Sequence, residues 1–548
     1  MKLDSASMKY SAKNKIFSID MLAKPGEISE HVAVKVRESE HRLLITLEPR
    51  EEVVIQELLL SYHYEFTPEQ RVFLNGYQSW TESVERKINS SMPGLTNVSR
   101  RIVNWQHLDA CGDYSFVNYQ NKQGILHGVS YGYVREGKNH LLFGSRSERS
   151  GFTLFELDTV ANRIFVRKDC KGLTITRPYT PFDLIFLEGT EKEVFDTFFS
   201  QLIIHKSKPT PLTGYTTWYR HLEDISEKKL SADLKSISES PIDFNVFCIE
   251  EGYQSKIGDW LVVNKVKFPN GIAEMAKKIS KAELIPGIWM TPFICERKSE
   301  IFRKHSDWLL HDGKGAPVLV TNNWHKAYAL DFYVPACRQY IKNVIQKYAL
   351  EYGFGFFKFD FLFAAAMIPR PDKTRAEIMY EAIEFLRECA GDVIITACGV
   401  PLAPAFGKVD FCQIGPDLTP NYRPSRILKK DNRESASTQA LILNNIYRRE
   451  LGRRAFGINP NIITFNNPAF LLKDEEKKNL ATIAALSGGL LFTSDDVSKY
   501  TKDDEKTWER LIALRDANVL KAYSEDHDVH LRYEYNTNRI NIVIPFFD

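Results

Sequence analysis

Apolar and polar positions alternate with a period of two along residues 1–205. The runs include HVAVKV (31–36), RLLITLE (42–48), EVVIQELLLSYHY (52–64), RIVNW (101–105), ILHGVSYGYV (125–134), RIFVRK (163–168) and FDLIFLEG (182–189). Clusters of Gly, Asn and Lys separate them. Short alternating segments divided by turn formers, with few helical stretches, predict an antiparallel β-sandwich. Residues 190–205 then read as a helix, and KSKPTPLTG (206–214), with its two prolines, as a linker.

After Gly214 the texture changes. Apolar runs now alternate with amphipathic stretches such as SEKKLSADLKSIS (226–238), GIAEMAKKISKAE (271–283), PACRQYIKNVIQKYALE (335–351) and TRAEIMYEAIEFLRECAG (374–391). Strand candidates follow in order: GYTTWY, FNVFCIE, IPGIWMT, FGFFKFD, DVIITAC, DFCQI, RAFGIN and GLLFTS. Eight such strands interleaved with helices are the number that closes a parallel (β/α)8 barrel. The helix between the fifth and sixth must be very short. A long excursion from about 294 to 353 separates the third and fourth strands and contains a hairpin pattern. Alternation returns in VHLRYEY and RINIVIPFF at the C-terminus. The expected division is a sandwich over 1–205, a barrel over 206–505 and a short β segment over 506–548.

Composition narrows the function classes. The 548 residues carry 72 Lys+Arg against 70 Asp+Glu, a formal net charge of +2, so nothing favours nucleic acid or an anionic membrane as partner. No run of about 18 apolar residues suggests a membrane span. The N-terminus lacks the apolar core of a secretory signal, and the eight cysteines are scattered without a CxxC pair. These features point to a reducing, cytoplasmic setting without a disulfide framework or a zinc ribbon.

In a barrel of this kind function lies at the C-terminal strand ends. Trp218, Arg220, Glu250, Glu251, Trp289, Lys358, Asp360, Cys398, Gln413, Asp417 and Ser494–Asp496 fall there. Histidine is missing from these ends, so a multi-histidine metal site is not expected, and no glycine-rich phosphate loop follows a strand. In FFKFDF (356–361) the alternation puts Lys358 and Asp360 on one side and Phe357, Phe359 and Phe361 on the other. A cation beside Asp360 favours the ionised form a nucleophile needs, although an internal ion pair is the competing reading. Asp417 follows Gly-Pro in QIGPD, and taken alone it reads as a turn residue. Paired with Asp360 it supplies the second carboxyl of a retaining glycosidase, where the two groups lie about 5–5.5 Å apart. His305 and His325, in the long excursion, are further candidates for the mouth, and SDD (494–496) reads as a helix cap.

NGYQSW (75–80), GYTTWYRHLEDISE (214–227), EEGYQSKIGDWL (250–261), PGIWMTPF (286–293), FFKFDF (356–361), ACGVPLAPAFGKVDFCQIGPD (397–417) and SGGLLFTSDD (487–496) together resemble the α-galactosidases of glycoside hydrolase family 36. The resemblance implies an N-terminal β-supersandwich, a catalytic (β/α)8 TIM barrel and a C-terminal β-domain. It implies retaining hydrolysis of terminal α-galactosides with no cofactor and no metal. Asp360 matches the nucleophile and Asp417 the acid/base. Lys358, Trp289 and Cys398 match sugar-contacting residues, and Trp80 matches an aromatic reaching over the barrel mouth.

Three departures concern the sugar-reading shell. Glu250 and Glu251 stand where the family carries paired aspartates for the 4- and 6-hydroxyls, each side chain reaching about 1.5 Å further. Gln413 replaces an arginine, and INPN (458–461) replaces an Asp-rich stretch. An α-glycosidase for another sugar, such as α-N-acetylgalactosamine, and a sugar-binding relative without hydrolysis therefore stay open. The expected partner is a glycoside or oligosaccharide substrate. Self-association into a homo-oligomer stays open too.

Overall fold

The computed structural model describes residues 1–23, 29–92, 110–202, 204, 209–423 and 433–545. The RIVNW run and the first part of the linker lie outside these residues.

The N-terminal region forms two seven-stranded antiparallel sheets. One runs Lys15–Asp20, Lys2–Ala12, Val53–His63, Arg163–Lys168, Thr153–Asp158 and Ile125–Val129, with Thr174–Ile175 also paired to Val53–His63. The other runs Val32–Ser39, Arg42–Pro49, Tyr179–Thr190, Asn139–Ser145, Tyr131–Glu136, Arg71–Leu74 and Glu85–Lys87. The predicted alternation is visible as burial. In Arg42–Pro49, Leu43, Ile45 and Leu47 are buried, and they share a core with Leu58, Leu60, Ile164 and Val166 of the other sheet. Helix Glu191–Ser200 follows, capped by Thr190 and shorter than the 190–205 expected.

The central sheet is parallel throughout. Its strands are Leu212–Thr216, Val246–Ile249, Ile285–Met290, Phe356–Phe359, Ile394–Ala397, Phe411–Gln413, a seventh in two halves (Gly457–Asn459 and Ile462–Ile463), and Leu490–Thr493. Each pairs with its sequence neighbour, and the eighth pairs back to the first, Leu212 opposite Leu490. All eight predicted strands form, and the TIM-barrel expectation holds. The seventh is broken at Pro460–Asn461, where Asn461 takes φ +75°. Its first half pairs with the sixth strand and its second half with the eighth, so the ladder turns the corner there. A side chain at Gly489 would sit 1.9 Å from the Ile458 carbonyl oxygen, so only glycine allows these two strands to approach.

The helix between the fifth and sixth strands is a single turn, Leu402–Ala405. The excursion after the third strand folds into a small antiparallel sheet, ordered Ile294–Glu296, Ala327–Ala329, Leu319–Thr321. The C-terminal β segment is a three-stranded meander, Asn518–Glu525, Asp528–Tyr535 and Asn538–Pro545. Among the described residues no helix is long and apolar enough to cross a membrane. All eight cysteines are buried free thiols.

Candidate active site

The strand ends bring the sequence candidates to one mouth. Asp360 follows the fourth strand directly, and its backbone N–H bonds to the Met290 carbonyl of the third strand at 3.0 Å. Its Oδ2 accepts the Trp289 indole N–H at 3.1 Å, and its Oδ1 accepts the Phe361 backbone N–H at 2.8 Å. Burial pushes this carboxyl above its usual range, and Asp417 adds to the effect, while Lys358 pulls it down. Lys358 gives its hydrogen bond to Glu250 instead, Nζ to Oε1 at 2.9 Å. The pair expected within FFKFDF is thus a Lys358–Glu250 pair across two strands, with Asp360 beside it.

Phe361 departs from the predicted alternation. It adopts φ +53°, which ends the strand and swings its ring toward the mouth. There it meets Trp80 edge-on at 5.2 Å and Trp324 at 5.4 Å. Phe357 and Phe359 stay in the core as expected.

Glu250 and Glu251 end the second strand. Glu250 Oε1 also accepts Thr216 Oγ1 at 2.6 Å, and burial raises the carboxyl against the pull of Lys358. Glu251 accepts the indole N–H of Trp324. Burial, with Glu223 and Glu250 nearby, pushes Glu251 up to about 8 despite that hydrogen bond. Near neutrality it therefore holds its proton more often than not.

On the opposite side Asp417 is exposed at the mouth. Gln413 is completely buried beneath it, with both ends of its amide engaged. Its Oε1 accepts the Cys398 thiol at 3.3 Å, and its Nε2 donates to Gly415 O and Asp417 Oδ1, each at 3.0 Å. Cys398 in turn accepts the Trp80 indole N–H at 3.3 Å. Burial and the two carboxylates Asp360 and Asp417 push the Cys398 thiol up, so it stays protonated. One sulfur therefore lies between both acids.

Trp80 arrives on a sandwich loop bolted to the barrel. Ser79 N–H bonds to Val400 O at 2.9 Å. The buried Arg448 guanidinium donates to the carbonyls of Gly76, Gln78, Ser79 and Ile414 and to Asn75 Oδ1. It thereby ties the Trp80 loop to the segment leading to Asp417.

Four contributors were not foreseen. Tyr219, beyond the first strand, lies beside Asp417, Asn461 and Glu250. Asn461 donates to Asp417 Oδ1 at 3.0 Å. Trp324 covers Glu251, and Arg448 fixes the loop. The INPN departure had marked the place of Asn461 without a role, and His325 had marked the turn carrying Trp324. It is Trp324 and not the histidine that reaches the mouth: His325 is exposed, and His305 stacks on Trp308 at 4.0 Å. The expected SDD cap holds in position only: Asp496 stands at the N-cap of the short helix Val497–Lys499 without a side-chain cap bond. Asp495 is buried and accepts from Thr464 Oγ1, the Phe465 N–H and Tyr500 OH, while Asp496 pairs with Arg220.

Comparison with known proteins bears on the fold. A family model described as Melibiase matches residues 213–384, which hold the first four barrel strands and Asp360. Over 101 residues the chain is 32% identical to the α-galactosidase AgaA of Geobacillus stearothermophilus, covering 17% of this chain and 13% of that protein. Over 151 residues it is 26% identical to a probable α-galactosidase C of Aspergillus flavus, 26% of this chain and 19% of that one. The aligned segments thus span less than a fifth of either relative. In structure it superposes on the Thermus thermophilus α-galactosidase TtGalA bound to p-nitrophenyl α-D-galactopyranoside, with TM-score 0.72, 23% identity, and 93% and 99% of the two chains covered. The family 36 α-galactosidase AgaA of G. stearothermophilus gives TM-score 0.60 at 11% identity, covering 96% and 79%. The resemblance to family 36 read from the motifs holds, with the melibiase match in the barrel and the likeness of fold along the whole chain.

Proposed function

We propose that this chain is a retaining, exo-acting α-galactosidase. The observation that carries the reading is the pair of carboxyls at the ends of the fourth and sixth strands, Asp360 held by the Trp289 and Phe361 N–H groups and Asp417 tied through Gln413 to Cys398. Asp360 attacks the anomeric carbon, and Asp417 protonates the departing glycosidic oxygen. Asp417 then takes a proton from water as it displaces Asp360 from the sugar. Each step is a proton or bond exchange among carboxyls, sugar and water, so the scheme calls for no cofactor. Trp289 and the Phe361 N–H hold both Asp360 oxygens and so fix the angle of attack. Lys358 and Glu250 read hydroxyls as a charged pair. Glu251, largely protonated, offers a hydroxyl both a donor and an acceptor. Trp80, Phe361 and Trp324 give the apolar faces of a sugar ring a surface to lie on.

The solved relative with a bound nitrophenyl galactoside supports galactose as the sugar. The division into 1–205, 206–505 and 506–548 and a cytoplasmic setting belong to the same reading. The last boundary falls inside helix Lys502–Leu514.

A panel of nitrophenyl α-glycosides tests the proposal. Cleavage of the α-galactoside, with α-galactose as the first product by NMR, is expected. Preference for another sugar, or β-galactose first, overturns the specificity or the mechanism respectively. Silence on every glycoside with sugar binding detected by calorimetry makes the chain a binding protein.

A further inference from the structure

We infer that Asn461, at the break in the seventh strand, and Gln413 form a two-point clamp on Asp417 Oδ1 that reserves Oδ2 for the transferable proton. The inference deepens the reading of Asp417 as acid/base and rests on it. Both amides donate to the same oxygen, each at 3.0 Å. Among the described residues no hydrogen bond reaches Oδ2, and Asp417 is otherwise exposed.

The direction of each amide is set by its other contacts. Asn461 Oδ1 accepts the Ile462 backbone N–H at 2.9 Å, which turns its NH₂ toward Asp417. Gln413 Nε2 also donates to Gly415 O at 3.0 Å, and a carbonyl only accepts, so that end must be the NH₂. Neither amide can flip without losing a bond to a backbone group.

The backbone explains why the strand is split. Asn461 sits at φ +75°, a region in which Asn is among the few side chains tolerated. Its own N–H bonds to Asn459 Oδ1 at 3.0 Å, locking the turn. The break thus has a chemical purpose beyond closing the barrel, because it aims one amide across the mouth at the loop carrying Asp417. A carboxylic acid has two oxygens, and a proton on the wrong one points away from the leaving group. Two donors on Oδ1 disfavour protonation there, since a protonated oxygen would face two N–H groups. Asn461 and Gln413 are positioning residues: they act through Asp417 and need not touch the sugar.

The clamp predicts a dependence on leaving group. Protonation matters for an alkyl α-galactoside and little for p-nitrophenyl α-galactoside. Asn461→Gly keeps the left-handed backbone and removes the amide. Its kcat/KM should fall at least about tenfold on the alkyl substrate and less than about threefold on the nitrophenyl substrate. Gln413→Leu, which keeps much of the volume and removes the donor without adding a carboxyl beside Asp417, must show the same split, so the test survives if the glycine variant does not fold. Equal falls on the two substrates, or no fall, overturn the clamp. Asp417→Ala separates this from failure of the underlying reading. With a split in Asp417→Ala and none in the amide variants, only the clamp fails. Without a split in Asp417→Ala, the acid/base assignment fails as well.

Discussion

The two sides of the mouth hold their carboxyls in different ways. Asp360 continues the central fourth strand, and its position is set by a backbone bond to the third strand and by an N–H on each of its oxygens. Asp417 stands on a loop beyond the sixth strand, exposed, with both of its amide contacts on one oxygen. A nucleophile needs a fixed line of approach, which a strand end provides. An acid/base must give up a proton and take it back, which one unconstrained oxygen allows. The difference also divides their environments. Asp360 lies among Lys358, Glu250 and Trp289, whereas Asp417 faces neutral amides and Tyr219, with Cys398 between the two.

The largest break in this comparison comes from Asp360→Asn. Turnover should fall on the order of 10⁴-fold or more on every substrate, since no other group can form the covalent intermediate. Circular dichroism should show the fold unchanged. Wild-type activity in this variant would end the assignment.

Asp417→Ala should separate the two sides. Loss on alkyl galactosides is expected near 10²–10⁴-fold, with much less on the nitrophenyl substrate, and added azide should restore turnover of the latter as galactosyl azide. A uniform loss would make Asp417 a second structural group like its neighbours.

Lys358→Met tests the charged side alone. It leaves Glu250 buried without its cation, at a cost of about 3–5 kcal/mol read from the urea midpoint. An unchanged midpoint would mean that Glu250 is neutral without Lys358.

A further stability prediction, read as a pH profile, concerns Glu251. Its folded-state pKa, about 8, lies above its unfolded one of about 4.3. Between those values the folded chain binds more protons than the unfolded chain, so this group's contribution is full at low pH and fades as pH rises through about 8. The urea midpoint should therefore decline from about pH 5 to about pH 8, and Glu251→Gln should flatten that decline. Parallel profiles in variant and wild type would refute the protonated state.

Much of this was legible in the sequence, for identifiable reasons. Strand alternation and short apolar runs give the sandwich and all eight barrel strands, because a sheet has one period and one buried face. Once strand ends are placed, Asp360, Lys358, Glu250 and Cys398 fall at the mouth by spacing, and the roles of Lys358 and Cys398 come from the resemblance to family 36. Helix Thr438–Tyr447 escaped because all of its residues but Ala440 are buried, which leaves no polar face to set a period. Trp324 escaped because three successive residues, Trp324 to Lys326, take positive φ in a turn that no glycine announces. Arg448 resembled any surface arginine until the fold surrounded it with carbonyls. The role of Gln413 was hidden likewise: as a replacement for a sugar-reading arginine it suggested a substrate contact, and it is instead completely buried under Asp417.

The central claim is that Asp360 becomes covalently bonded to the sugar. Incubation with a fluorinated α-galactosyl fluoride that slows release of the intermediate, followed by peptide mass mapping, reads this directly. The account predicts one sugar per chain, attached to the peptide containing Asp360 and absent in Asp360→Asn. A sugar carried by any other residue, or fluoride released with no adduct formed, would contradict it.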